Sequence, residues 1–240
     1  GRGAVAGLST SCITTQTRKK WRSTRKWNAA AAVVFVGWAC SAADAGIRRY
    51  GFHGLSYAHM VAHFGDTLPA RLLAFHLGNG ASLCAIADGR SVATTMGYSP
   101  LGGLTMGTRA GEIDAGAVLR LVAARGLDEA DYLLHHQSGL LGLSGLSSDM
   151  RSLEASGTPQ AKFAIEHFCY WISRQAGSMM AAMGGLDAVA FTGGIGENST
   201  MIRDRILEKL RWMGDFPAYI VPAREELHIA REAQTLLEAQ

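Results

Sequence analysis

Two short segments of the sequence each carry a side chain suited to stabilising negative charge. In "MGTRAGEID" (106–114), Arg109 stands among small residues, so its guanidinium could reach carboxylate or phosphoryl oxygens with little steric hindrance. In "RRYGFHGLS" (48–56), His53 lies between an aromatic residue and a glycine, where its ring could donate a hydrogen bond to a developing charge. Both have simpler interpretations: a surface salt bridge for Arg109 and a structural, buried histidine for His53.

Three further segments could surround a nucleotide. "HLGNG" (76–80) interrupts an apolar run and predicts either a β-hairpin turn or a loop whose backbone N–H groups bind phosphate. "TGGIGEN" (192–198) predicts an anion-binding glycine loop, although it lacks the Gly-Lys-Ser/Thr of a Walker loop, or else a tight strand-to-helix turn. "GLSSDMR" (145–151) could address a ribose or an adenine edge, or start a helix capped by one of its serines with Asp149 in the first turn.

The elements that must position these segments alternate between strand and helix patterns. Strands are predicted over 71–75, 82–87, 91–95, 186–192 and 218–221, the first three as a meander with a turn at Asp88-Gly89. Helices are predicted over 113–125, 160–183, 199–213 and 224–239. This order predicts an α/β fold with mixed sheet connections.

Composition narrows the class of protein. The chain has 240 residues, of which 48% are hydrophobic and 18% charged, as expected for a globular protein with a substantial core. Residues 1–46 hold seven Lys or Arg and one Asp, and no basic stripe follows them, which argues against nucleic-acid binding. The cysteines are widely spaced and form no C-x-x-C pair, which favours a reduced, cytoplasmic setting: Cys12, Cys40, Cys84 and Cys169.

The first 45 residues differ in character from the rest. A basic cluster precedes an apolar stretch within 18–43, as in a signal peptide, but it starts too far into the chain. The apolar run is also shorter than the roughly 20 residues that a membrane span needs. We therefore predict a segment 1–45 that is disordered or foreign to the fold, by divergence or a shifted reading frame, and one nucleotide-binding domain over 46–240.

Taken in order, these motifs resemble the C-terminal part of the acetate kinase family. The matching segments run from Ala45 to about Thr235 and cover roughly four fifths of the chain: "AGIRRYGFHG", "HLGNGAS", "MGYSPLGGLTMGTRAGEID", "SGLLGLSGLSSDMR", "FTGGIGENS" and "EELHIARE". The resemblance implies the C-terminal domain of an actin/sugar-kinase/Hsp70-like ATPase fold. It also implies magnesium-dependent transfer of the γ-phosphoryl group of ATP to acetate, giving acetyl phosphate and ADP.

The resemblance also assigns roles to residues. It implies that His53 and Arg109 stabilise the transition state and that Glu225 assists the Mg²⁺ ion. The nucleotide-binding residues that it implies are a phosphate loop, nucleoside contacts and a third segment that completes the pocket: His76, Leu77, Gly78, Asn79 and Gly80; Asp149, Met150 and Arg151; Gly194, Ile195, Gly196, Glu197 and Asn198. The intact enzyme is expected to be a cytoplasmic homodimer, with neither nucleic acid nor a membrane as partner.

The sequence departs from the family in its N-terminal part. Intact acetate kinases resemble two such domains in tandem, and this sequence lacks an Asn-x-Gly-Ser-Ser-Ser-type loop with its lysine, a substrate-facing arginine and the aspartate of a Phe-Asp-Thr-Ala-Phe-His segment. Within the matching part, Ala110 replaces a usual serine and Glu112 a usual aspartate. We expect the isolated chain to be weakly active or inactive and prone to associate. Propionate or butyrate kinase activity, or a non-catalytic nucleotide-binding remnant, are the alternatives.

Overall fold

The computed structural model describes residues 48–238, so the predicted segment 1–45 lies outside the described residues. A single mixed sheet has the strand order β3-β2-β1-β4-β5. The strands are β1 (Arg71–Leu77), β2 (Ala81–Ala87), β3 (Arg90–Thr94), β4 (Ala188–Thr192) and β5 (Ala218–Ile220). The first three are antiparallel neighbours, whereas β4 runs parallel to both β1 and β5. All five predicted strands are therefore confirmed, with ends that shift by one or two residues.

The helices surround this sheet. In chain order they are α1 (Gly54–Phe64), α2 (Ala115–Arg125), α3 (Leu127–His136), α4 (Gly139–Ser144), α5 (Met150–Ser156), α6 (Pro159–Met183), α7 (Gly193–Asn198), α8 (Thr200–Leu210) and α9 (Glu225–Glu238). Short 3₁₀ turns follow α1 at Gly65–Thr67 and α8 at Arg211–Met213.

The long helix α6 shows how local signals set its bounds. The Thr158 side chain accepts a hydrogen bond from the N–H of Ala161, Pro159 occupies the first turn, and Gly184 ends the helix in the left-handed conformation. The prediction of a helix over 160–183 is thus confirmed. Within residues 48–238, neither α6 nor any shorter helix combines the length and apolarity of a membrane span.

Successive side chains along each strand point to opposite faces of the sheet, and both faces are buried. On one face, Leu73 and Phe75 pack with α6 and α8, and the rings of Phe75 and Phe191 stack with centroids 4.7 Å apart. On the other face, Leu72 and Ala74 pack with Tyr57 of α1, and α9 lies against α1. The domain is therefore a three-layer α/β arrangement.

Several helices escaped prediction, and the segment after β4 is helical rather than an extended loop. The sequence patterns did not predict α1, α3 or α4, whereas a capped helix at α5 was one of the two interpretations of "GLSSDMR". The segment "TGGIGEN" was predicted as an anion-binding glycine loop or a tight strand-to-helix turn, and in the structure it forms the short helix α7 directly after β4. Gly193 makes the sharp turn with φ 80°, and the Glu197 side chain accepts a hydrogen bond from the Gly193 N–H at 2.9 Å, which closes the first turn.

Candidate active site

An open cleft of about 840 Å³ lies at the ends of β1 and β4, among the three segments predicted to surround a nucleotide. Its walls come from the turn after β1, from the start of α5 and from the junction of α7 and α8. The lining residues are Gly78, Asn79, Ser148, Asp149, Met150, Arg151, Glu154, Gly194, Ile195, Asn198 and Ser199. The fold thus joins, in one cavity, motifs that are separated by more than a hundred residues of sequence.

The first wall is the β1–β2 turn, where the predicted hairpin is confirmed. The Gly78 N–H donates to the Gly80 carbonyl at 3.0 Å, and the Asn79 carbonyl accepts from the Gly107 N–H at 3.0 Å. The Asn79 side chain packs so closely on Gly107 that a Cβ on Gly107 would lie 2.1 Å from its Oδ1. The turn is therefore held by main-chain contacts on both sides while Gly78 and Asn79 face the cleft.

The second wall follows β4. A Cβ at Gly193 would lie 2.7 Å from the Leu77 carbonyl oxygen, so only glycine permits this junction to pack on the end of β1. The Asn198 amide donates to the Gly194 carbonyl at 2.8 Å. Gly194 and Asn198 line the cleft, whereas Gly196 is buried against the sheet and is not among the lining residues.

The Glu197 carboxylate hydrogen-bonds backbone N–H groups and is not among the residues that line the cleft. Its Oε1 accepts hydrogen bonds from the N–H groups of Gly193 and Ala223, both at 2.9 Å. It therefore ties the start of α7 to the segment that leads into α9. The nucleotide contact implied for Glu197 stays a prediction, and in the structure its carboxylate holds the cleft wall from behind.

The third wall begins α5. Asp149 is its N-cap and accepts from the Arg151 N–H at 2.9 Å, so the interpretation of a serine cap with Asp149 in the first turn was wrong. Ser147 instead accepts from the Asp149 N–H at 3.0 Å and shapes the preceding turn. The Arg151 guanidinium pairs with the Asp149 carboxylate and holds the pKa of that carboxyl below its usual value. This exposed pair forms the rim of the cleft.

Arg109 and His53 meet on the far side of the β1–β2 turn. A Cβ on Gly80 would lie 2.6 Å from Arg109 Nη2 and 3.3 Å from His53 Nε2. Arg109 is partly buried, donates to the Pro100 carbonyl at 2.7 Å and forms no ion pair with any described carboxylate. The surface salt bridge considered from the sequence is thus wrong for residues 48–238. The guanidinium and the imidazole edge instead converge beside the glycine turn.

Burial keeps the two histidines of this region neutral. His53 stacks on His76 with centroids 3.9 Å apart and planes inclined by 18°. Burial, with the nearby His76 and Arg109, lowers the pKa of His53 to about 3. Burial likewise lowers the pKa of His76 to about 4, and Ser56 bonds its Nδ1 at 2.9 Å. His53 can therefore act as a neutral hydrogen-bond donor. His76 supports it from behind, and Leu77 is core.

Acidification should destabilise the domain through these two histidines. Their folded-state pKa values of about 3 and 4 lie below the ordinary 6.5, so the unfolded chain takes up protons first as pH falls. Stability is complete above about pH 6.5 and falls towards pH 4, by up to about 1.4 kcal/mol per pH unit for each histidine. Urea unfolding at several pH values measures this slope. His76→Gln should make it shallower, and an unchanged slope in that variant would contradict the prediction.

Glu225 opens α9 and is only partly buried. The Glu197 contact to Ala223, two residues upstream, connects its segment to the cleft wall. No group of three or more His, Cys, Asp or Glu side chains within the described part of the chain could hold a metal by itself. A single carboxylate nevertheless fits Mg²⁺, which usually keeps several waters and takes its other ligands from phosphates.

Some residues of the site had no sequence signal. Glu154 and Ser199 line the cleft, and the Ser199 hydroxyl donates to the Glu154 carboxylate at 2.5 Å. They are 45 positions apart, and the fold brings them together because α5 and α8 both pack against α6. Ser82 bonds His53 Nδ1 at 2.8 Å and lies in "HLGNGAS", so that motif could have pointed to it.

The chain is similar to known acetate and propionate kinases. The chain is 45% identical over 218 residues to the acetate kinase of Nitrobacter hamburgensis, which covers 80% of this chain and 54% of that protein. It is 45% identical over 221 residues to the acetate kinase of Methylocella silvestris, covering 81% and 55%. The chain thus spans about half the length of the curated relatives it matches.

Two solved structures are also similar to this chain over most of its length. The crystal structure of Porphyromonas gingivalis acetate kinase superposes with a TM-score of 0.81 at 33% identity, over 85% of this chain and 60% of that one. The propionate kinase of Francisella tularensis gives 0.74 at 36% identity, over 80% and 56%. The predicted actin/sugar-kinase/Hsp70-like ATPase fold is confirmed by these likenesses.

The family model of the acetokinase family also matches this chain. It matches residues 29–231 and so begins within the segment 1–45 that the sequence analysis set apart; that boundary stays a prediction. The sheet order, the glycine turns and the paired Arg109 and His53 lie inside this match. The chain belongs to the acetokinase family.

Proposed function

We propose that this chain is the nucleotide-binding part of a short-chain carboxylate kinase that uses ATP to phosphorylate acetate. The observation that carries the proposal is the continuity of the β1–β2 turn. Gly78 and Asn79 line the nucleotide-sized cleft, and the next residue, Gly80, contacts Arg109 and lies near His53. A triphosphate lying along this turn would bring its terminal phosphoryl group to the two donors.

The proposed chemistry is an in-line transfer. A carboxylate oxygen of acetate forms a bond to the γ-phosphorus, the bond from that phosphorus to the β,γ-bridging oxygen breaks, and ADP leaves with the electron pair. A carboxylate needs no base to become a nucleophile, so positioned donors matter most. Arg109 supplies positive charge to the equatorial oxygens, and neutral His53 supplies one N–H. Both groups are fixed before the reaction by main-chain and side-chain contacts.

Mg²⁺ would neutralise phosphate charge when bound with ATP. We assign Glu225 as the carboxylate of this chain that addresses the ion, directly or through water. The Glu197 contacts to Gly193 and Ala223 support the assignment, because they fix the approach to α9 relative to the cleft. Asp149, Met150 and Arg151 would then border the nucleoside at the opposite rim.

Nucleotide binding is tested most directly at Gly194. A Cβ there meets no atom within 4 Å, so Gly194→Ala should fold normally while placing a methyl group in the lining of the cleft. We expect the affinity for Mg-ATP to fall at least about 10-fold, since one hydrogen bond to a charged group contributes about 1.5–3 kcal/mol. Isothermal titration calorimetry measures the change.

Gly177→Ala, on α6, is the matched control because its Cβ is equally unobstructed and lies outside the cleft lining. Equal Mg-ATP affinity in both variants and the unchanged chain would show that the nucleotide does not lie along the α7 junction. Absence of any Mg-ATP binding by the unchanged chain would overturn the proposed function itself.

The acyl substrate has two candidates. Acetate is favoured by the curated relatives, and propionate by the likeness to a propionate kinase at 36% identity. One methylene changes discrimination by only about 1–3 kcal/mol. A hydroxamate assay with acetate, propionate and butyrate compares kcat/KM for the three acids. Mg-ATP binding without acyl phosphate would favour the non-catalytic remnant, since the chain spans about half of its relatives.

Two further parts of the proposal concern the cellular location of the protein and its oligomeric state. A cytoplasmic location is supported by Cys84 and Cys169, which are buried free thiols as expected in a reducing compartment. A homodimer of the intact enzyme follows from the family resemblance alone. Light scattering after size exclusion tests that assembly.

A further inference from the structure

We propose that Tyr57 and Ser82 are positioning residues that fix the proton of His53 on Nε2, so that the imidazole presents an N–H towards Arg109 and the Gly80 turn. The two residues act through His53 and have no contact of their own with substrate. The catalytic value of this arrangement rests on the proposed function, but the proton position does not.

The three side chains form a chain of hydrogen bonds behind the site. Ser82 Oγ lies 2.8 Å from His53 Nδ1, and the Tyr57 hydroxyl hydrogen-bonds the same Ser82 oxygen. Tyr57 is 2% exposed and Ser82 is fully buried, so water cannot replace any of these partners.

The direction of the chain follows from counting donors. Ser82 is the hydrogen-bond partner that the structure gives the buried Tyr57 hydroxyl, so the Tyr57 proton must be placed on that contact. Ser82 Oγ is the acceptor within reach, because leaving the Tyr57 proton unpaired inside the protein would cost about 1–3 kcal/mol. Burial raises the pKa of Tyr57 well above its usual value, so that proton is retained.

Ser82 must then donate its proton onward. Its oxygen accepts from Tyr57, and its hydroxyl hydrogen points to His53 Nδ1, which accepts as the unprotonated ring nitrogen. A neutral imidazole has one N–H, so the proton lies on Nε2. Burial keeps His53 neutral by lowering its pKa to about 3.

The tautomer matters because of what Nε2 faces. A Cβ on Gly80 would lie 3.3 Å from Nε2 and 2.6 Å from Arg109 Nη2, so both groups border the same small volume. With its proton on Nδ1 instead, the ring would offer a lone pair at Nε2. Arg109 would then donate a hydrogen bond to the ring. The site would lose the His53 N–H, and one Arg109 N–H would no longer face the substrate.

The test is nuclear magnetic resonance of the full chain with ¹⁵N-labelled histidine, in which the ring-nitrogen shifts report which nitrogen carries the proton. His53→Gln assigns the signals. We expect wild-type His53 to be a single neutral Nε2–H tautomer near neutral pH. Ser82→Ala should move the Nδ1 signal to that of a ring nitrogen with no hydrogen bond, and Tyr57→Phe should move it part of the way.

Ser56→Ala is the matched control, because Ser56 bonds Nδ1 of His76 in the same manner. It should shift the His76 signal and leave that of His53 in place. If Ser82→Ala fails to fold, the His53 tautomer of the wild type and the His53 Nδ1 signal of Tyr57→Phe still test the proposal. A wild-type proton on Nδ1, or a His53 Nδ1 signal unmoved in the folded variants, would overturn the proposal.

The measurement needs neither nucleotide nor turnover. An Nε2–H tautomer in a chain that fails to bind Mg-ATP would uphold the positioning of His53 and reject only the proposed kinase role. The reverse pair of results, Mg-ATP binding with an Nδ1–H tautomer, would reject the positioning alone.

Discussion

Arg109→Ala is expected to lower kcat for acyl phosphate formation by about 10²–10³, the loss typical of one positioned donor to a transition state. The reason lies in its geometry: Nη1 donates to the Pro100 carbonyl at 2.7 Å, which leaves Nη2 beside Gly80. Because the chain spans about half of its relatives, the assay uses a two-domain enzyme completed with the N-terminal half of the Nitrobacter hamburgensis acetate kinase.

Two measurements separate transition-state stabilisation from folding and ground-state binding. The Kd for Mg-ATP of Arg109→Ala should stay within about threefold of wild type, because Arg109 is not among the residues that line the cleft. Arg90→Ala, at an exposed position of β3, removes an arginine without approaching the site and should leave kcat unchanged. A kcat for Arg109→Ala within tenfold of wild type would reject its assignment as a transition-state donor.

Local sequence signals predicted the strands but not which strands pair with each other in the sheet. Periodicity and flanking turns indicated β1 and β4, yet only the fold pairs His76 with Thr192 in parallel register. Parallel strands end at the same edge of a sheet, so this pairing brings Gly78 beside Gly194, where a Cβ on Gly78 would lie 3.9 Å from the Gly194 nitrogen. The motifs could be found one by one, and their convergence required the resemblance or the structure.

Helices without conventional starting signals escaped prediction for a physical reason. The N-cap of α1 is His53, which has φ 60° and makes no side-chain cap hydrogen bond. Its conformation is held by Ser82 in a strand 29 positions away, which no local pattern reveals. At α5 the sequence did indicate a capped helix, but the choice among Ser147, Ser148 and Asp149 depended on which side chain reached the Arg151 N–H.

Gly139→Ala is expected to have the largest effect on stability, a loss of about 2–5 kcal/mol of unfolding free energy. Two costs add: φ is 59°, where an L side chain loses about 1–2 kcal/mol, and overpacking against fixed atoms adds about 1–3 kcal/mol. The clash is with main chain, since a Cβ would lie 2.2 Å from the Met106 oxygen and 2.8 Å from the Arg109 oxygen. Urea unfolding followed by circular dichroism measures the loss.

Gly157→Ala isolates the steric part of this cost. Its φ of 62° is nearly the same, but a Cβ there meets no atom within 4 Å, so the loss should be only the conformational 1–2 kcal/mol or so. Equal destabilisation by the two substitutions would mean that the Met106–Arg109 segment yields to the methyl group. A larger loss for Gly139→Ala, together with weakened transition-state donation by Arg109, would show that packing beneath this segment sets the position of the guanidinium.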